Sequence, residues 1–133
     1  MNNFLRNRWK LLSAVLVSCL FFPFLGVSVF IGCQVREKVH QAQSSESGDP
    51  VAALLAVAVS TERSISERDS AVWALGQLGS ARALASLEEL HSGANCGHSD
   101  ELCQYGLEKA IRLCGGEFNV GALVWRHGEL ATR

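Results

Sequence analysis

No acidic residue occurs before Glu37, and residues 11–33 carry no charge of either sign. A run this poor in charge exceeds the roughly 20 apolar residues that cross a hydrocarbon core of about 30 Å. It also outlasts the apolar core of about 7–15 residues in a cleaved secretory signal, so a retained anchor is expected. Proline is scarce, with two in the chain. Pro23 lies inside the apolar run, where it would cost a water-soluble helix about 3 kcal/mol. A bilayer helix tolerates proline better, so a kink without a break is expected there. Sustained period-two alternation is missing, which excludes a sheet outside the C-terminal tail. A Lys/Arg cluster is missing beyond the apolar run, in a chain of net charge −1. Nucleic acid is therefore excluded as a partner, because phosphate contacts supply most of that affinity.

What is present divides 133 residues into an anchor and one modest domain. Residues 1–10 form a basic N-terminus with Arg6, Arg8 and Lys10. After the run, Arg36 and Lys38 are offset by Glu37. This asymmetry places the N-terminus in the cytoplasm and the C-terminal domain outside it, in a single-pass membrane protein. Other readings of the segment stay open. Leu16-Val17-Ser18-Cys19 resembles the bacterial lipoprotein processing motif, and Phe30-Ile31-Gly32-Cys33 resembles a degenerate form of it. Cys33 is accordingly a candidate lipidation site, with lipidation at Cys19 or simple cleavage as further alternatives.

Residues 34–48 shift to a Ser- and Gln-rich composition that buries too little apolar area to order itself, and are expected to form a linker. Residues 35–43 could extend the membrane helix for a turn or two. From Asp49 onward the pattern is helical. Asp49 caps a helix that starts at Pro50, with Val51, Leu54, Leu55 and Ala58 on one face. Ser66 and Asp69 fit a capping box for a second helix with the stripe Ala71, Ala74, Leu75 and Leu78, ended by Gly79. Ser80 caps a third, with Ala83, Leu84, Leu87 and Leu90 inward and Gly93 at its end. Ser99, Asp100 and Glu101 open a fourth, in which Cys103, Leu107, Ala110, Ile111 and Cys114 share a face before Gly115-Gly116. The expected fold is all-α: a transmembrane helix followed by a short helical domain over residues 49–116. Placing Ala71, Ala74, Leu75 and Gly79 on Leu107, Ala110, Ile111 and Gly115 gives a faint internal repeat.

The run Arg68-Asp69-Ser70-Ala71-Val72-Trp73-Ala74-Leu75-Gly76-Gln77-Leu78-Gly79, followed by Ser80-Ala81-Arg82-Ala83-Leu84, resembles a HEAT-like repeat of the variety found in phycobilisome lyase subunits. That pattern carries Asp-Pro where Ser80-Ala81 stands here, while Asp49-Pro50 supplies the pair one repeat earlier. The likeness is good over residues 67–90, faint over 49–60 and 101–115, and covers about half the chain. It implies an α-solenoid-like stub and a tendency toward protein partners. Two repeats offer an extended surface and no preformed deep pocket. Trp73 lies off the apolar stripe, so it either packs on a neighbouring helix or anchors a partner.

The cysteines leave several chemistries open. Cys103 and Cys114 stand eleven residues apart on one helix, about 16 Å along its axis, too far for a disulfide. Cys96 with Cys103 is the feasible bridge, and an extracytoplasmic domain would let it persist. Buried unpaired thiols are the competing reading. A metal site on Cys96, His98 and Cys103 lacks a fourth ligand at a zinc spacing. His91, His98 and His127 form no catalytic constellation with a cysteine, and adjacent acids such as Glu88-Glu89 point about 100° apart. No catalytic, cofactor or metal residue is assigned. The function expected is a membrane-anchored binding or scaffold module. The alternative is a lyase-like or cofactor-linked subunit that uses a cysteine. The tail, residues 117–133, is too apolar to stay loose, and either caps the helices or seeks a partner.

Overall fold

The computed structural model describes residues 2–94 and 101–126. Every regular element among them is a helix: α1 (Asn2–Ser45), α2 (Pro50–Val59), α3 (Ile65–Leu78), a 3-10 turn (Ala81–Ala83) leading into α4 (Leu84–Leu90), α5 (Gln104–Cys114) and α6 (Ala122–Trp125). One of them, α1, is long and apolar enough to cross a membrane.

The expected linker is not a linker. α1 continues through Pro23 and on to Ser45. The reason lies in the spacing of small and β-branched residues within the polar stretch. Ser28, Gly32, Val35, Val39 and Ala42 are buried and follow one another by four, three, four and three residues. That alternation keeps one stripe of a helix facing a partner. Val35, Val39 and Ala42 thereby join the same core as Leu54, Leu75, Leu87 and Leu107. The connection that remains, between Ser45 and Pro50, is short. It turns through Gly48, whose φ of 138° is a backbone conformation that favours glycine.

α2 starts where the sequence places it. The Asp49 carboxylate accepts from the backbone N–H groups of Val51 (3.0 Å) and Ala52 (3.2 Å), with Pro50 in the first turn. Arg82 reaches Asp49 at 2.7 Å, and this hydrogen bond, ahead of those from the backbone, holds the carboxyl below the usual aspartate range. The far end of α2 is closed by Arg68, whose Nε donates to the Ala58 carbonyl at 2.9 Å.

The capping box of α3 is Ser64 with Glu67, not Ser66 with Asp69. The Ser64 Oγ accepts from the Glu67 N–H, and the Glu67 carboxylate accepts from the Ser64 N–H at 3.0 Å. Asp69 is used elsewhere: its Oδ1 accepts from the Cys103 N–H at 3.0 Å, at the start of α5. α5 accordingly begins at Gln104, with Cys103 as its first flanking residue, rather than at Ser99. Ser99 and Asp100 lie outside the described residues. Gly79 ends α3 in the left-handed conformation at φ 62°, as its position in the sequence predicts. Ser80 makes no side-chain cap and is followed by the 3-10 turn before α4.

α3 and α5 run in the same direction and approach closely. Asp69 meets Cys103 and Gly76 meets Ala110, both at a sequence offset of 34. A Cβ on Gly76 would lie 2.8 Å from the Ala110 Cα, so the absence of a side chain sets the helix spacing there.

Candidate functional site

Two surfaces carry chemistry that the core does not need. The first is α1 itself. Trp9, Leu11, Leu12, Val15, Leu16, Val17, Leu20, Phe21, Phe22 and Phe24 are exposed, and so are Val27, Val29 and Phe30 further along. Monomeric soluble proteins rarely leave contiguous apolar patches of more than a few hundred Å² in water, so this length of helix calls for an apolar medium. Cys19 and Cys33 are both exposed on it.

The lower end of the domain is fastened to this helix by the C-terminal segment. α6 lies on α1, with Trp125 over Gly32: a Cβ on Gly32 would fall 2.7 Å from the Trp125 Cβ and Cγ. Gly121 lies in ordinary contact with Ser28, since a Cβ there would stand 3.6 Å from the serine Oγ. Asn119 Nδ2 donates to Gln77 Oε1 at 3.1 Å, and Arg126 Nε donates to the Gln77 carbonyl at 3.0 Å. The Trp125 indole is buried and its Nε1 has no hydrogen-bond partner among the described residues. An unsatisfied donor of this kind costs about 1–3 kcal/mol, which the packing on Gly32 offsets. The tail therefore packs back at least as far as Arg126, and it does so on α1. Residues 127–133, His127 among them, lie outside the described residues.

The second surface surrounds Trp73. Its side chain is neither fully packed nor fully free, at 37% exposure. It lines a shallow cleft between α3 and α5 with Asp69, Gly76, Cys103, Gly106 and Lys109. The cleft holds about 130 Å³, well under the roughly 300 Å³ at which small-molecule sites begin. Tyr105 stands exposed at the start of α5. Trp73 thus borders α5 across the cleft and still presents an edge to solvent.

Cys114 is buried, and its Sγ contacts the Leu75 carbonyl at 3.5 Å. Desolvation pushes its thiol up to about 11, against the opposing influence of the Arg126 guanidinium. The nucleophilic thiolate is therefore scarce at neutral pH. Arg126 is itself moved down by its partial burial. Cys96 lies outside the described residues, and with it the expected bridge to Cys103. The same holds for His98 and the three-residue metal set. Among the described residues no group of three or more His, Cys, Asp or Glu side chains is placed to hold a metal ion.

No family model, curated protein or solved structure matches the chain.

Proposed function

We propose that this chain is a single-pass membrane protein whose anchor helix also forms one wall of a small HEAT-like docking module for a protein partner, with no catalysis of its own. The observation that carries the reading is the continuity of α1. Its first part is apolar and exposed, and its last part contributes Val35, Val39 and Ala42 to the domain core. Placed in a bilayer through residues 11–33, it would hold the domain at a fixed height and rotation above the surface. A flexible tether would do neither. The basic residues Arg6, Arg8 and Lys10 favour a cytoplasmic N-terminus and hence an extracytoplasmic domain.

Retention of the segment is supported by the tail. Cleavage before Cys33 would remove Ser28 and Gly32, the surface on which Gly121 and Trp125 rest. A helical-repeat arrangement is supported by the parallel α3 and α5, which meet at Asp69–Cys103 and Gly76–Ala110, both 34 residues apart, with α4 between them in the chain, while the HEAT-like part of the reading rests on the resemblance over residues 67–90. Helical repeats have periods of about 34–47 residues and bring equivalent helices side by side in this way. The docking face is the exposed edge of Trp73 with Tyr105, the chain neighbour of the cleft-lining Gly106 on α5, since aromatic side chains dominate contact energy at interfaces. The raised pKa of Cys114 speaks against a reaction at that thiol.

The test combines an intact-mass measurement with site-specific photocrosslinking in native membranes. The expected mass is that of a chain retaining residues 11–33, and a crosslinker at position 73 should give one discrete adduct that a crosslinker at exposed Glu88 does not. A mature chain beginning at Cys33 would refute the anchor. A uniform pattern from both positions would refute the docking face.

A further inference from the structure

The tail buries one side of itself on α1 and leaves the other side apolar. Phe118 is 71% exposed, Val120 51% and Leu123 50%. Exposed aromatic and aliphatic side chains on a segment held to Gln77 by hydrogen bonds from Asn119 and Arg126 call for an explanation, because a tail needing only to pack could carry polar residues there. Their height along α1 is fixed by contacts. Gly121 lies against Ser28 and Trp125 against Gly32, while Ile31 lines one recess with Phe118, Asn119, Val120 and Gly121. All of these α1 residues belong to the apolar run that ends at Cys33. At 1.5 Å per residue, Ser28 lies about 7 Å inside the end of that run. Amphipathic segments that rest on membranes place their apolar side about 5–10 Å into the boundary between headgroups and acyl chains. The outward faces of Val27, Val29 and Phe30 are exposed at the same level. Lys109 and Arg112 line the recess on its α5 side together with Glu117, which pairs with Arg112 at 3.3 Å, so Lys109 is the cation left to meet headgroup phosphates there.

We propose that residues 118–123 form a second membrane contact, an interfacial wedge in which Phe118, Val120 and Leu123 enter the outer edge of the bilayer beside α1. The occupant of this apolar face is lipid, since a bilayer around Val27–Phe30 leaves nothing else at that height. The inference rests on the anchor reading and adds to it. The domain meets the membrane through its own tail, which restricts tilting of the module about α1.

The test is carbene photolabelling of the wild-type chain reconstituted in phosphatidylcholine–phosphatidylglycerol vesicles, using a diazirine carried on the lipid acyl chain, followed by trypsin and mass spectrometry. Cleavage after Lys10, Arg36, Lys38, Arg63, Arg112 and Arg126 separates residues 11–36, 39–63 and 113–126. Label is expected in residues 11–36 and, within 113–126, on Phe118, Val120 and Leu123, with residues 39–63 at background. Label confined to 11–36 overturns the wedge and leaves the anchor standing. No label in 11–36 overturns the anchor and the wedge together. Label in 39–63 as strong as in 113–126 also overturns the wedge, because the whole domain would then be immersed. A Phe118→Ser/Leu123→Ser variant keeps the packed side of the tail intact. It should lose label in 113–126 and keep it in 11–36; unchanged label in 113–126 contradicts the proposal.

Discussion

The two parts of α1 follow different rules within one unbroken helix. From Leu11 to Val27 nearly every side chain is apolar and exposed, and no face is distinguished from another. From Ser28 onward one residue in three or four is buried, and from Gln34 charged or polar side chains fill most of the rest. The first pattern suits a medium that is apolar all round, and the second suits a protein neighbour on one side and water on the other. The change comes before the end of the apolar run, so residues 28–33 belong to both regimes. That overlap is where Trp125 and Gly121 dock.

A single lysine placed in each part should separate them most sharply. Val39→Lys would bury an unpaired charge in the core and should cost about 3–5 kcal/mol, read as loss of the cooperative unfolding transition in detergent. Leu20→Lys should leave that transition within about 0.5 kcal/mol of wild type. Instead it should lower membrane insertion, by about 2.5–3.5 kcal/mol on an insertion assay. Similar effects of both changes on domain stability would erase the distinction.

Two glycines six residues apart sharpen it further. A Cβ at Gly26 meets nothing within 4 Å, while one at Gly32 meets Trp125 at 2.7 Å. Gly32→Ala should destabilise the domain by about 1–3 kcal/mol, whereas Gly26→Ala should be neutral, both by urea titration at fixed detergent. An equal loss at Gly26 would mean that the domain grips more of α1 than residues 28–42.

The pH dependence separates core from surface. The Cys114 thiol is raised from 9.0 to about 11 in the folded chain. Its neutral form therefore contributes stability that is complete below pH 9 and is lost as pH rises toward about 11. Cys114→Ala should flatten the stability profile in that window, and an unchanged alkaline slope would show that another group is responsible. Asp49 acts in the opposite direction. Its pKa is lowered from 3.8, so its contribution is present above that value and lost as pH falls through the folded pKa. Asp49→Ala should cost about 1 kcal/mol at neutral pH through the lost cap, and less in acid.

The sequence was most legible where local chemistry acts alone. Asp49-Pro50 starts α2 and Gly79 stops α3, because a cap and a left-handed turn are decided within a few residues. It misled where a distant partner decides. Ser64-x-x-Glu67 and Ser66-x-x-Asp69 both fit a capping box, and the choice between them goes with Asp69 being engaged by Cys103, 34 residues away. A helical extension over residues 35–43 was legible as an alternative to the linker, but the polar composition hid its burial in the core, although Val35, Val39 and Ala42 already carried the spacing. Of the candidate sites, Trp73 could be placed off the stripe from periodicity. The tail's seat on Ser28 and Gly32 could not, since no local pattern joins residues about 90 apart in sequence, and such long-range docking is set by tertiary packing.

The claim that anchor and domain share one rigid helix is tested most directly by amide hydrogen exchange across residues 34–45 of the full chain in vesicles. The amides of Val35, Val39 and Ala42 are expected to exchange as slowly as those of Leu54 and Leu75 in the core. Exchange within seconds at those positions, with α2 and α3 still protected, would show a flexible tether and contradict it.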